Sequence, residues 1–493
     1  MKRRHLRKVG SLTAVVMLTS SCASLHQAGE NYGTAIGCIG GAALGGGITY
    51  LVTKDATKAV AGGLIGGIAG CMAGNVWQSR EKALAQIAAE EHIAIRSQPL
   101  QAQQKSGTET VGLVAQVEDS GMFDTNSAQL SASGLRQVRK IAAVMKEGDQ
   151  NGVVLIVGHT DATGSASWNQ KLSEQRAQNV GRILQQAGLN PQKLYFQGAG
   201  SSRPLADNTT YDGRAANRRV EIVGLANETL LRQRVEQEGN NLAYLRYGTQ
   251  PAASQQAKST SAPAPAKRRS VEIRSAKKEP SSTPAAQSQE TATVSTVSEN
   301  NKNWVDFGGQ AVSASTLPLA ANLKPRSSGF SLISQANASG VTGSCLTDNA
   351  RVAGAAKNLA SGKALDDHQT REYFNGMNGR AWAGLVNNHL VTLSPVKVLK
   401  DNAAVVANPN VYITRNYQSS DNRKADAPIS AVANAWEGED SILYRVYLPS
   451  EKQQPLSCID LLVPKNATKA QQGQLFYTSH SNAWVANYSP TRS

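Results

Sequence analysis

Apolar and polar positions change period several times along the 493 residues. Leu12 to Leu18 form a short apolar run behind five basic residues. From residue 33, small residues recur every four positions: Gly33, Gly37, Gly41 and Gly45, then Gly62, Gly66, Gly70 and Gly74 beyond the polar break Lys54-Asp55. That spacing lays a flat stripe along a helix and lets two backbones approach closely. It predicts a glycine-zipper helical hairpin, each arm of about 20 residues and about 30 Å. The competing expectation is a flexible glycine-rich spacer. Residues 78–109 open with charges among alanines and predict an exposed helical stalk, broken near Pro99. Residues 110–225 alternate strand and helix signals. Strands are predicted at Val111 to Val117, Val153 to Val157, Leu194 to Gln197 and Val220 to Val223. Amphipathic helices are predicted at Leu135 to Met145 and Leu172 to Leu184. The order is that of a compact α+β domain, βαβαβ.

Residues 226–247 predict a charged helix. Residues 248–302 are Ala, Ser, Thr, Pro, Gln and Lys without periodicity, the composition of a disordered linker. Its root-mean-square reach would be roughly 40 Å. Residues 303–493 hold 15 of the 25 aromatic residues and short β-biased runs between turn signals, so a mainly β domain is expected, with some helix near Asp348 to Phe374.

Charge and cysteines place the chain in a compartment. The formal charge is +15. Lys2, Arg3, Arg4, Arg7 and Lys8 belong to a leader of residues 1–21, and removing them leaves +15 − 5 = +10. A basic surplus suits an anionic polymer or a membrane surface as well as nucleic acid. The charge is dispersed and no nucleic-acid fold signature accompanies it, so nucleic acid is not expected. A basic region, an apolar run and small residues before Cys22 form a secretory leader. Leu18-Thr19-Ser20-Ser21-Cys22 resembles a bacterial lipobox, with the leucine four residues before the cysteine where three is preferred. The resemblance implies a lipid on Cys22 and, with Ala23 following, the periplasmic face of the cell outer membrane. A plain secretory signal is the alternative. Four other cysteines remain in an oxidising space. Cys38 and Cys71 stand equally far from the Lys54-Asp55 turn, so antiparallel arms would bring them level for a bridge. Arms that pack on other copies of the chain would leave them apart. Cys345 and Cys458 are the only pair in the C-terminal region and are expected to bridge. The glycine arms themselves resemble glycine-zipper segments of bacterial envelope lipoproteins.

The chemistry concentrates between residues 123 and 222. Phe123-Asp124-Thr125-Asn126, Gly158-His159-Thr160-Asp161, Trp168-Asn169, Leu172-Ser173-Glu174-Gln175-Arg176-Ala177, Asn208, Gly213-Arg214 and Asn217-Arg218-Arg219-Val220-Glu221-Ile222 follow in order. This set resembles the OmpA-like peptidoglycan-binding family over 110–225. Trp168 stands where tyrosine is common, and Ser202 replaces a frequent acidic residue. The resemblance implies non-covalent binding of the diaminopimelate of a peptidoglycan stem peptide, which would tether the outer membrane to the wall. It assigns Asp161 and Arg176 as the clamp, supported by Asn126, Thr160, Asn169 and Arg219. The chemistry suits a zwitterion: diaminopimelate offers an ammonium and a carboxylate, so one fixed anion and one fixed cation should receive it. An internal Asp161–Arg176 salt bridge that only stabilises the domain is the bland alternative.

No enzyme, metal or cofactor is expected. His159 lacks the partners of a triad or a metal site, and His368 near Asp366, Asp367 and Glu372 reads as part of a solvated face. Peptidoglycan and the outer membrane are the expected partners, with self-association through the glycine arms. An alternative function is an accessory lipoprotein of an envelope machine, acting through a protein partner of the C-terminal domain.

Overall fold

The computed structural model describes residues 76–104, 107–146, 152–249, 304–313, 315–325, 343–365, 371–421, 423–449, 454–479 and 482–493. The leader, the glycine arms with Cys22, Cys38 and Cys71, the stretch 250–303 and His368 lie outside them. Among the described residues no helix is long and apolar enough to cross a membrane.

The N-terminal unit opens with α1 (Val76–Glu91), then β1 (Ile95–Gln104) and β2 (Gly107–Glu118). It continues through α2 (Ala132–Lys146), β3 (Val153–His159), α3 (Ala166–Gln186) and β4 (Leu194–Gly200). It closes with α4 (Tyr211–Asn217), β5 (Arg219–Leu225) and α5 (Glu228–Gly239). The sheet order is β1-β2-β5-β3-β4, extended by a short strand at Lys357–Asn358. Only β3 and β4 pair in parallel, so this is the expected α+β architecture.

Period two along the strands divides the sheet's two faces. Val154, Ile156, Val220 and Ile222 pack beneath α2 and α3 with Val138, Ile141, Ala177 and Val180. Val153, Leu155, Val157, Val223 and Leu225 face the other way, under Leu231 and Val235 of α5 and under Ala356 and Leu365 of the returning chain. Helix α3 sits unusually close to the strands. A Cβ at Gly158 would lie 2.1 Å from the Ser173 carbonyl oxygen, and one at Gly198 would lie 2.6 Å from that of Gln170. Glycine at these two points lets the helix settle where its functional face meets the strand ends.

Two expectations are corrected. Residues 78–109 are no stalk: Trp77, Leu84 and Ile87 of α1 are buried in the sheet's helical layer, and β1 pairs along β2. The charges misled, because Arg80 is buried over the Trp77 ring and donates to the Met145 carbonyl at 3.0 Å. Pro99 lies inside β1, which is tolerated because β1 is an edge strand with a register shift at Leu100/Gln101. The charged helix expected at 226–247 forms as α5, with Arg234 and Glu238 buried and paired at 3.1 Å. The helix near Asp348 to Phe374 is replaced by one 3₁₀ turn at Cys345–Thr347, extended chain and strands at Lys357–Asn358 and Tyr373–Asn378, among the described residues.

The C-terminal unit is mainly β. A six-stranded antiparallel sheet is built on Val432–Glu437, Ser441–Tyr447, Cys458–Pro464 and Gln472–Ser479. It faces five- and three-stranded sheets across a common core that includes Trp382, Val391, Ile413, Ile442, Tyr444 and Leu461. Its other face carries Arg445 and Tyr447, which explains why Ser441–Tyr447 is buried almost throughout. Against that face Cys345 and Cys458 bridge, with Cα atoms 6.1 Å apart.

The two units pack together. Arg351 donates to the carbonyls of Ser202, Tyr244 and Tyr247 at 2.9 Å each. Asp348 accepts from Arg445 at 2.9 Å and from Arg351 at 3.0 Å, and also bonds Thr249. Burial alone would raise the Asp348 carboxyl, but Arg351 and Arg445 outweigh it and hold it below its ordinary value. Gly354 donates to the Gly198 carbonyl, and Lys357 pairs with Glu174 of α3.

Candidate functional site

Three adjacent strands end at one level. Glu118 of β2 pairs with Arg219 of β5, which also pairs with His159 of β3. The residues just beyond those ends, Asp119, Arg218 and Asp161, therefore lie side by side. The Asp119 N–H donates to the Arg218 carbonyl at 2.9 Å, continuing the ladder by one step. Arg176 reaches the same level from α3, whose N-cap is Ser165.

The charges pair in a pattern the sequence reading did not contain. Arg176 bonds Asp119 at 2.7 Å, while Asp161 bonds Arg218 at 2.7 Å. No Asp161–Arg176 salt bridge forms. The inner pair is nearly enclosed, each side chain 8% exposed, and Arg176 also donates to the Ser127 carbonyl and lies 4.6 Å above the Phe123 ring centroid. Desolvation raises the Asp119 carboxyl and lowers the Arg176 guanidinium; in both, burial exceeds the partner's attraction. The outer pair is open, with Asp161 13% and Arg218 32% exposed. Two anions and two cations thus stand at one sheet end, one couple fixed and one facing solvent.

The polar residues around them shape loops. Asn169 is buried and donates to the carbonyls of Asp161 and Thr163, folding that loop onto α3. The Asp161 carboxylate accepts from the Thr163 N–H at 2.8 Å. Thr160 is buried, its N–H on the Gly200 carbonyl and its hydroxyl on the Asp161 carbonyl. Ser173 accepts from the Gly200 N–H at 2.9 Å, locking α3 to β4. Asn208 accepts from the Ala162 N–H and from Asn217, which fixes the end of α4, and so Arg218, beside Asp161. Asn126 is exposed and left-handed at φ 54°, next to the Ser127 carbonyl that receives Arg176.

Arg219 is not brought to the site. It is 2% exposed on the opposite face of the sheet, bonded to Glu221 at 2.9 Å and to the Arg203 carbonyl. Period two requires this: Arg219 and Glu221 share the face of Val223 and Leu225, whereas Arg218 lies on the face of Val220 and α3. The buried group there includes His159, whose Nε2 is 3.5 Å from Glu221. Burial, helped by Arg219, pushes the His159 imidazole down to about 3, so it is neutral. Asp119 and Arg218 were missed as site residues. Their signal lay in position, one residue beyond β2 and one before β5, and needed the strand register to be seen.

Residues 122–218 match the OmpA family model, and residues 1–78 match the YMGG-like Gly-zipper model. The chain is 40% identical over 100 residues to the probable lipoprotein YiaD of Escherichia coli, covering 20% of this chain and 45% of that protein. It is 39% identical over 102 residues to the outer-membrane lipoprotein YfiB of Pseudomonas aeruginosa, covering 21% and 60%. The chain therefore spans less than two thirds of the length of either relative. Among solved structures, the cell wall anchor of the T6SS from Pseudomonas aeruginosa is 26% identical with a TM-score of 0.24, covering 29% of this chain and 97% of that one. Residues 122–218 are an OmpA-family domain, and residues 1–78 a YMGG-like Gly-zipper segment, in one chain with a C-terminal β unit.

Proposed function

We propose that this protein binds peptidoglycan non-covalently through the diaminopimelate of a stem peptide and so tethers the outer membrane to the cell wall. The observation that carries the proposal is the open Asp161–Arg218 couple beside the enclosed Arg176–Asp119 couple. A zwitterionic side chain can enter by exchange: its ammonium takes Asp161, and its carboxylate takes Arg218 and the free edge of Arg176. Each charge keeps a partner throughout, so entry leaves no ion bare. Asn126, Thr160 and Asn169 hold the loops that present the carboxylate and the guanidinium. Arg219 supports the sheet from behind. The relative named as an outer-membrane lipoprotein supports anchoring at that membrane, through a lipid on Cys22 and the glycine arms.

The test is co-sedimentation of the full chain with purified diaminopimelate-type sacculi. Asp161→Ala and Arg176→Ala should each remove most binding, because each leaves an opposite charge unmatched when the ligand is in place. Sedimentation of both variants like the wild type would overturn the assignment. Arg219→Lys, by contrast, should leave binding close to that of the wild type.

A second reading draws on the packing of the two units. The C-terminal unit is held against the OmpA-family domain through Arg351 and Asp348, so a protein partner gripped by it would be held at a fixed place on the wall. In that reading the chain is an accessory lipoprotein of an envelope machine.

A further inference from the structure

Two large aromatic side chains of the OmpA-family domain stand out in solvent: Trp168, 57% exposed, and Tyr211, 74% exposed. Their positions follow one pattern. Trp168 lies in the first turn of α3, two turns before Arg176, with Leu172 between them. Tyr211 lies in the first turn of α4, two turns before Arg218 at that helix's C-cap. Residues seven or eight apart on a helix are about 10–12 Å apart along its axis and near the same face. Each aromatic therefore sits in the first turn of a helix that delivers one arginine of the charge cluster two turns further on.

The backbone that carries each of them is held in place. The Trp168 N–H donates to the Ser165 N-cap, and neighbouring Asn169 is buried and bonded to the loop carrying Asp161. The Tyr211 helix is capped by Thr210 and follows the loop that Asn208 ties to Ala162. Leaving a tryptophan and a tyrosine in water forgoes their burial, and among the described residues neither touches another aromatic ring.

We propose that Trp168 and Tyr211 form a glycan platform beside the charge cluster, stacking on the amino sugars that bear and neighbour the bound stem peptide. A pyranose ring presents a face of C–H bonds, slightly positive and apolar. It suits the negative face of an aromatic ring, which a peptide ammonium or carboxylate does not need. The platform rests on the stem-peptide reading, to which it adds a second contact with different chemistry.

The two contacts separate in one experiment on the full chain. Binding is measured for a diaminopimelate-containing stem tripeptide without sugar, and for the same tripeptide on its disaccharide. Trp168→Ala and Tyr211→Ala should each weaken the disaccharide-peptide about two- to tenfold and leave the sugar-free peptide unchanged. Trp168→Phe should restore most of the loss, since the ring and not the indole N–H makes the contact. Asp161→Ala should weaken both ligands. Equal disaccharide-peptide affinity for wild type, Trp168→Ala and Tyr211→Ala overturns the platform and leaves the clamp standing. Unchanged binding of both ligands by Asp161→Ala overturns the clamp, and sugar-dependent losses in the aromatic variants would then stand alone.

Discussion

Two of the molecule's clusters of acidic and basic residues have similar make-up and opposite character. At the sheet end, Asp119, Arg176, Asp161 and Arg218 pair two by two, and the outer couple meets solvent. Between the units, Asp348, Arg351, Arg445 and Asp460 are packed away from water, each pair at 2.7–3.0 Å. Identical chemistry serves different ends because desolvation differs. A couple in contact with water can trade partners at little cost. A couple sealed in protein cannot lose one member without stranding the other. The first arrangement suits exchange with a ligand; the second joins two folded units.

The largest effect should come from the sealed cluster. Asp348→Ala leaves Arg351 and Arg445 short of an anion and should cost about 3–5 kcal/mol in chemical denaturation. A loss below about 1 kcal/mol would erase the contrast.

An intermediate effect should appear in the pH dependence. The neutral imidazole of His159 ordinarily titrates near 6.5 but is pushed down to about 3. Below pH 6.5 the unfolded chain takes up a proton that the folded chain refuses. Stability present above pH 6.5 is therefore lost as pH falls towards 3. Between pH 7 and 5 this amounts to about 2 kcal/mol. Glu81, raised by burial to about 7, acts in the opposite direction over the same window but is common to both proteins. The wild type should thus lose about 2 kcal/mol more than His159→Gln between those pH values, measured by melts at each. Parallel profiles would place the proton elsewhere.

The smallest stability change belongs to the open couple. Asp161→Ala should shift unfolding by about 1 kcal/mol or less while removing sacculus binding. A loss as large as that of Asp348→Ala would make Asp161 a structural residue.

These contrasts also show what a sequence can disclose. Four strands and two helices between Val111 and Val223 were legible, in order, from period and turn chemistry, whereas the short α4 was not. Helix α3 began earlier than its apolar stripe suggested, because Ser165 caps it ahead of the first buried residue. Helix α1 was misread as exposed, since Arg80 and Glu81, which look like surface charges, are buried. The motif residues Asp161 and Arg176 were legible, but their partners were not. Asp119 and Arg218 become neighbours only through the β2–β5 register, 99 positions apart in the sequence. Choosing between Arg218 and Arg219 required knowing which face of β5 the helices cover. The docking of the C-terminal unit was invisible for a similar reason: Arg351 bonds backbone carbonyls, which carry no sequence signature.

Helix α1 also has a mechanical meaning. It runs antiparallel to α2. Its last turn meets the start of α2 through Glu91 and Arg136, and its first turn meets the far end through Arg80 and Met145. The charge cluster lies at the Glu91 end, because β1 begins beside the end of β2, Ile95 opposite Val117. The chain from the glycine arms thus enters at the pole opposite the cluster, about 24 Å away along a 16-residue helix. Tension between an anchor before residue 76 and a ligand on Asp161 would pull α1 lengthwise across its neighbours. Trp77, Leu84 and Ile87 would then resist sliding together, as bonds loaded in shear do, and would not peel away one by one.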